Sequence, residues 1–264
     1  MKRMRVLMTW QELVPERLAG ATVVVLDVFM ATTTLLTILE NGARGVFPVE
    51  SLQEADRLKE GLDASSLLRG GEQDGARIEG YDHGPFPEEY APEVVREKDV
   101  IFVTTNGTRA IAEAAPAKSI LLGCLRNAPA VVRHLEATNP DSIYLVCAGS
   151  AGRFTIEDFL GATTIISHMD VSGWRLNDGA WMALDFAESH REDLSGVLKQ
   201  SRAGRWFVEN ERMDAFDFVA DVGASELVPE VVGDRLRRAG EREQDPRLEV
   251  SGRTRKGGGA WARQ

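Results

Sequence analysis

The chain has 264 residues, 31 Lys and Arg against 41 Asp and Glu, a formal net charge of −10, and 43% hydrophobic residues. This is the balance of a globular chain long enough to bury a sizeable core. The acidic excess argues against a general nucleic-acid binder, which needs clustered Lys and Arg for the phosphate backbone. Two cysteines in apolar segments, Cys124 and Cys147, and four histidines argue against a disulfide framework and a structural zinc site.

The opening MKRMRVLMTWQEL is basic but lacks an apolar stretch long enough for a signal peptide. From Thr22 to Leu39 the only charge is Asp27. The threonines in that stretch, and Glu40-Asn41-Gly42 after it, favour a buried strand and helix over a membrane span. A cytoplasmic protein without membrane or nucleic-acid partners is expected.

Thr22 to Leu26 (TVVVL) is a β-branched run, the pattern of a strand covered on both faces, and it ends at Asp27. ATTTLLTILENGA from Ala31 predicts a helix stopped at Asn41-Gly42. Val46–Val49 predicts a second strand, and Ser51…Glu54 a capping box opening the helix SLQEADRLKEGL. Arg69 to Pro92 holds five glycines and three prolines in 24 residues, which predicts a long functional or disordered loop.

Strands are then expected at Asp99–Val103, Ser119–Leu122 and Ser142–Cys147, with helices over Thr108–Ala115, after a cap at Asn127, and over Phe154–Met169. Alternating strands and helices predict an α/β layered fold. Beyond Ser172 the pattern reads as charged helices that complete a layer or cover an edge. A single domain over 1–240 and a disordered, basic tail over 241–264 are expected.

Three segments share one plan, an apolar strand followed by a turn of small or hydroxyl residues and a helix: VVVLD-VFMATTT, VIFVT-TNGTRA and IYLVC-AGSAGRFTIED. Ligands of α/β sheets gather at such carboxyl ends, where free amides suit a phosphate or sulfonate. Thr104, Thr105, Asn106, Gly107 and Thr108, with Arg109, are candidate anion contacts, and Gly149, Gly152 and Arg153 repeat that chemistry. The spacing is neither GxGxxG nor a Walker loop, which disfavours dinucleotides and nucleoside triphosphates. Each turn alone is ordinary turn chemistry; three in one chain, two of them with Arg, favour a site.

Asp27 closes a hydrophobic strand, where it either caps the next helix or serves a site. Glu157 and Asp158 stand in the first turn of a helix, which the macrodipole alone would favour. Glu72 and Asp82 belong to the Gly-rich stretch and could converge on the same cleft. Two or three carboxylates beside a phosphate cradle are what a Mg²⁺ site needs.

LDVFMATTTLLTILENGA, GYDHGPFPEEY, VTTNGTRA, GCLRNA and CAGSAGRFTIEDFLGA resemble, in order and spacing, the 2-phosphosulfolactate phosphatase (ComB-type) family, over roughly Val23 to Ala162. The resemblance implies an α/β/α three-layer fold around a mixed sheet. It also implies a Mg²⁺-dependent phosphatase that acts on 2-phospho-3-sulfolactate, on the way to coenzyme M, and it permits a homo-oligomer. On this reading Asp27, Arg109 and Arg153 are catalytic, and Asp27, Glu157 and Asp158 hold the metal. Thr104 to Thr108, Gly149 and Gly152 bind a small anionic phosphoester.

The chain departs from the family pattern at Met30 and Gln73, where arginines are usual, and at Gly84-Pro85-Phe86-Pro87 in place of Gly-Asn-Ser-Pro. Either the substrate differs, or the protein is a catalytically weak or inactive anion-binding homologue. An aspartyl-phosphate mechanism of the haloacid dehalogenase kind is disfavoured, because the residue two after Asp27 is Phe29.

Overall fold

A computed structural model describes residues 1–190 and 193–241. In chain order the main elements are β1 (Arg3–Leu7), β2 (Thr22–Leu26), α1 (Ala31–Glu40), β3 (Gly45–Val49), α2 (Leu52–Lys59), β4 (Leu67–Gln73) and β5 (Ala76–Arg77). There follow α3 (Pro92–Val95), β6 (Asp99–Val103), α4 (Gly107–Glu113), β7 (Ser119–Gly123), α5 (Ala128–Thr138), β8 (Ser142–Cys147), α6 (Ile156–Ser167) and β9 (Arg175–Leu176). The chain continues through α7 (Asp178–Ser189), α8 (Leu194–Gln200), α9 (Arg202–Glu209), α10 (Met213–Ala220), β10 (Pro229–Val232) and β11 (Arg235–Arg238).

The strands form one mixed sheet of order β5-β4-β6-β3-β11-β10-β7-β2-β8-β1-β9. Two parallel blocks, β4-β6-β3 and β7-β2-β8-β1-β9, are bridged by the antiparallel hairpin β10–β11. That hairpin meets each block through one registered pair, Glu230 with Leu121 and Leu236 with Val46.

β2 shows why the sheet is covered on both sides. Val23 and Val25 pack with Leu35, Leu36 and Ile38 of α1, while Val24 and Leu26 pack with α5 and α6 side chains such as Val131 and Ile165. Side chains alternate faces along a strand, so an unbroken apolar run requires a helix layer on each face. The expected α/β/α layering around a mixed sheet is the observed architecture. Among the described residues no helix is long and apolar enough to cross a membrane.

Three expectations are corrected. Residues 69–77 are not loop: β4 pairs in parallel with β6 and turns antiparallel into β5. Its pattern is hidden because Gly70 and Gly71 stand where a β-branched residue would be expected. A Cβ at Gly70 would overlap the Tyr90 hydroxyl, and one at Gly71, whose φ is +115°, would overlap the Val103 carbonyl.

The segment beyond Ser172 is not wholly helical, because it ends in β10 and β11. Their EVV and RLRR stretches are too short and too charged to signal strands, and only insertion between β3 and β7 gives their backbone partners. Asn127 does not cap α5 through its side chain. Its Oδ1 accepts from the Cys124 amide, and its Nδ2 donates to the Leu122 and Leu227 carbonyls, tying the end of β7 to the approach of β10.

Two further points concern the termini. β1, unremarked in the sequence, pairs in parallel with β8 and places the N-terminus inside the sheet. The expected basic tail lies, beyond Glu241, outside the described residues.

The narrow bridge makes a test. Leu236 is buried in the core shared by α1 and β3. Leu236→Ala is expected to destabilise the fold by about 3 kcal/mol, the cost of a buried leucine cavity, measured by urea unfolding.

Candidate functional site

The carboxyl ends of β2, β4, β6 and β8 open on a cavity of about 880 Å³, closed on its far side by α9. Its wall includes Asp27, Glu72, Thr104, Thr105, Asn106, Arg109, Gly149, Gly152, Glu157 and Asp158. Of the residues expected at a site, these converge. Gly107 and Thr108 stand behind the wall, Arg153 is exposed outside it, and Asp82 is tied instead to the Arg69 amide at 2.8 Å.

Asp27 is both a structural and a cavity group. Its Oδ1 accepts from the amides of Met30 (3.1 Å) and Ala31 (3.5 Å), which fixes the turn into α1, and Thr32 Oγ1 bridges its backbone N–H and C=O. Oδ2 has no such partner among the described residues. A Cβ on Gly107 would come within 2.8 Å of that oxygen and 3.0 Å of Ala31, so glycine there makes room for the carboxylate.

The Asp27 side chain is raised to about pKa 7, first by burial and then by the charge of Glu72, with the two amides pulling the other way and Glu157 adding a smaller push. A carboxyl poised near neutrality in a cleft is a functional-site signal.

Glu72 is fully engaged. Oε1 accepts from the Thr105 amide at 2.6 Å, and Oε2 from Thr105 Oγ1 at 3.1 Å and the Gly75 amide at 2.6 Å. It locks the TTNGT turn against β4. Thr105 Oγ1 also accepts from the Asp74 amide, and Thr108 Oγ1 donates to the Thr104 carbonyl. These two hydroxyls hold the turn together, and the open groups of the stretch are Asn106 and Arg109, which forms no ion pair among the described residues.

Asp158 is likewise engaged. It is 2% exposed, with Oδ1 accepting from the Val28 amide (2.8 Å) and Oδ2 from the Gly149 amide (2.9 Å) and Thr155 Oγ1 (2.8 Å). It thereby clamps the turn after β2 to the turn after β8. Burial, then the charges of Asp27 and Glu157, raise its pKa.

The turn after β8 needs left-handed backbone at Gly149 (φ +67°) and Gly152 (φ +71°), closed by reciprocal amide bonds between Ser150 and Arg153. Glu157 differs from Glu72 and Asp158, since its Oε2 is buried without a hydrogen-bond partner among the described residues. Burial raises its pKa, while its own amide, the Ser201 hydroxyl and the Arg202 charge pull it back.

Sequence reasoning missed the far wall. Arg202, Trp206 and Phe207 come from α9, Phe29 from the turn after β2, and Phe86 from the Gly-Pro-Phe-Pro stretch. α9 reads as an ordinary surface amphipathic helix, and only its docking over the strand ends turns it towards the cavity. Met30 also lines the cavity, whereas Gln73 is exposed and does not.

Among the described residues two carboxylate oxygens here lack a hydrogen-bond partner and could turn to a metal, Asp27 Oδ2 and the buried Glu157 Oε2. Among the described residues no group of three or more His, Cys, Asp and Glu could hold a metal ion. That donor set suits a hard cation that keeps waters and shares oxygens with a bound phosphate, the usual Mg²⁺ arrangement, and not an all-protein cage.

Comparison with known proteins gives the same direction. The family model described as 2-phosphosulpholactate phosphatase matches residues 8–234. A protein of Caldanaerobacter subterraneus subsp. tengcongensis named "Probable 2-phosphosulfolactate phosphatase" is 33% identical over 224 residues, covering 84% of this chain and 92% of its own. Proteins of the same name from Clostridium acetobutylicum and Thermotoga maritima are 36% identical over 219 residues (81% of this chain, 91% of theirs) and 34% over 212 (80% and 89%). With the match running from the residue after β1 to the turn of the hairpin that joins the two halves of the sheet, the chain belongs to the 2-phosphosulfolactate phosphatase family, named for a phosphoric monoester hydrolase.

Proposed function

We propose that the protein is a Mg²⁺-dependent phosphatase that hydrolyses 2-phospho-3-sulfolactate, or a related small phosphoester, to the hydroxy acid and inorganic phosphate. The observation that carries this reading is one cavity whose wall holds, among the described residues, two carboxylate oxygens without a hydrogen-bond partner, Asp27 Oδ2 and the buried Glu157 Oε2, together with the unpaired guanidinium of Arg109. Asp27 and Glu157 would hold the cation, with Asp158 fixing the turns that carry them. When bound, the ion neutralises phosphoryl oxygens and orients the ester.

The protein's own groups supply the rest. Arg109 offers paired N–H donors to two phosphoryl oxygens and holds the charge that grows on them as the P–O bond lengthens. Asn106 adds a neutral amide that fixes the phosphoryl orientation. Gly107 keeps Asp27 Oδ2 uncovered, and α9 walls the cavity opposite the strand ends. Because Asp27 must ionise, Mg²⁺ affinity and turnover are expected to rise with pH through about 7.

The test is phosphate release from 2-phospho-3-sulfolactate and other small phosphoesters, with MgCl₂ or with EDTA. Release with Mg²⁺, cut about a hundredfold in Arg109→Ala, is expected. Thermal stabilisation by phosphate with no release from any ester would establish the non-catalytic anion-binding alternative instead.

A further inference from the structure

The cavity has two chemically different walls. One is the polar set of the strand ends. The other is a continuous aromatic surface in which Phe29 lies 4.8 Å from Phe207, and Phe86 lies 5.9 Å from Trp206 at an interplanar angle of 14°. Phe207 meets Phe86 and Trp206 edge-on, and Met30 extends the surface without charge.

Trp206 lines this cleft and is 42% exposed, so part of the residue remains uncovered by the protein. Concave apolar surface opposite a few convergent polar groups is the usual form of a small-molecule site.

Phe86 is also held as a platform. The Arg212 guanidinium stacks 3.8 Å from its ring and is paired to Glu88, so that cation is already engaged.

Charge sharpens the contrast. Five carboxylates line the cavity (Asp27, Glu72, Asp74, Glu157 and Asp158) against two guanidinium groups, Arg109 and Arg202. Arg202 already acts on Glu157. An ester bearing a sulfonate and a carboxylate besides its phosphate would set strong anions against aromatic faces, whose quadrupoles are negative.

We infer that the substrate is a phosphomonoester whose leaving hydroxy acid or alcohol ends in an aromatic or bulky apolar group, seated on Phe86, Trp206 and Met30, with the buried Phe207 backing them. The inference names the substrate class of the phosphatase proposed above and rests on that reading. In the reaction a water oxygen bonds to phosphorus, the ester P–O bond breaks, and a water proton ends on the departing oxygen, giving alcohol and inorganic phosphate without redox change.

The experiment compares kcat/KM of the full chain with Mg²⁺ on 2-phospholactate, 2-phospho-3-sulfolactate and 2-phospho-3-phenyllactate. The phenyl ester is expected to exceed the sulfonate ester at least tenfold, chiefly through KM. Trp206→Ala should lower the phenyl-over-methyl ratio about tenfold, with Phe86→Leu a second, milder probe, and Met30→Arg should shift preference towards the sulfonate. A wild-type preference for the sulfonate, or a phenyl-over-methyl ratio untouched by Trp206→Ala and Phe86→Leu, overturns the inference.

Calorimetric binding of the same three esters separates the two levels of the argument. Tighter phenyl binding without turnover of any ester removes the phosphatase reading and upholds the aromatic site. Equal or sulfonate-favoured binding removes the aromatic site even if phosphate is released.

Discussion

Asp27→Asn is expected to abolish phosphate release, by about a thousandfold or more, and at the same time to make the protein more stable at pH 8. The two effects have one origin. The Asp27 carboxyl is raised from 3.8 to about 7, chiefly by burial and next by the charge of Glu72. Between those values the unfolded chain has lost the proton and the folded chain has kept it, so stability falls as pH rises through this window and stays reduced above it.

Asparagine retains the Oδ1 that accepts from Met30 and Ala31 but has no charge to bury. The gain is expected to be about 1 kcal/mol at pH 4.5 and about 4 kcal/mol at pH 8, the latter on the order of 10 °C in Tm. Urea unfolding at the two pH values measures it. A gain over the natural protein of the same size at both pH values would refute the burial argument. Added Mg²⁺ should raise the Tm of the natural protein at pH 8 and leave that of Asp27→Asn unchanged, a readout independent of turnover.

Asp158→Ala is expected to damage both the fold and the site. It would strip the acceptor from two buried amides, Val28 and Gly149, and from the Thr155 hydroxyl, and it would unclasp the turn after β2 from the turn after β8. Each abandoned buried donor costs roughly 1–3 kcal/mol, offset in part by relief of repulsion from Asp27 and Glu157, so a net loss of about 3 kcal/mol is expected.

Because the Asp158 pKa is also raised, its ionisation already weakens the natural protein as pH rises, and the difference from the variant should be smaller at pH 8 than at pH 5. Asp158 orients Asp27 through the backbone at Val28 and acts as a positioning residue, so kcat should fall roughly 10–100-fold with KM less affected. A variant with natural kcat would show that the clamp does not govern the site.

Five of the eleven strands, β2, β3, β6, β7 and β8, were legible from local pattern. TVVVL, DVIFV and SIYLVC can be satisfied only by burial on both faces, and the small-residue turns after them mark strand ends where ligands gather. Asp27 stood out for the same reason, a charge at the end of an apolar run.

Less legible was anything whose meaning depends on a distant partner. Gly70 and Gly71 disguise β4, because the close approach of Tyr90 and Val103 that requires glycine is a tertiary fact. β10 and β11 carry no strand signal of their own and exist as the seam between two parallel blocks.

What the sequence by itself determined is the layered α/β class, the family and the strand ends that carry the polar groups. Local periodicity and short motifs follow from neighbouring residues and are written in the order of the chain. Only the tertiary structure decided how those groups divide. It engaged both oxygens of Asp158 and Glu72 in holding turns, left Asp27 Oδ2 and Glu157 Oε2 without hydrogen-bond partners among the described residues, and placed Arg153 outside the cavity. It also brought Trp206 and Phe207, far along the chain, to face the strand ends. A side chain becomes a ligand contact through what it lacks as much as through what it is, and whether a buried oxygen keeps a free lone pair is settled by packing between elements far apart in sequence.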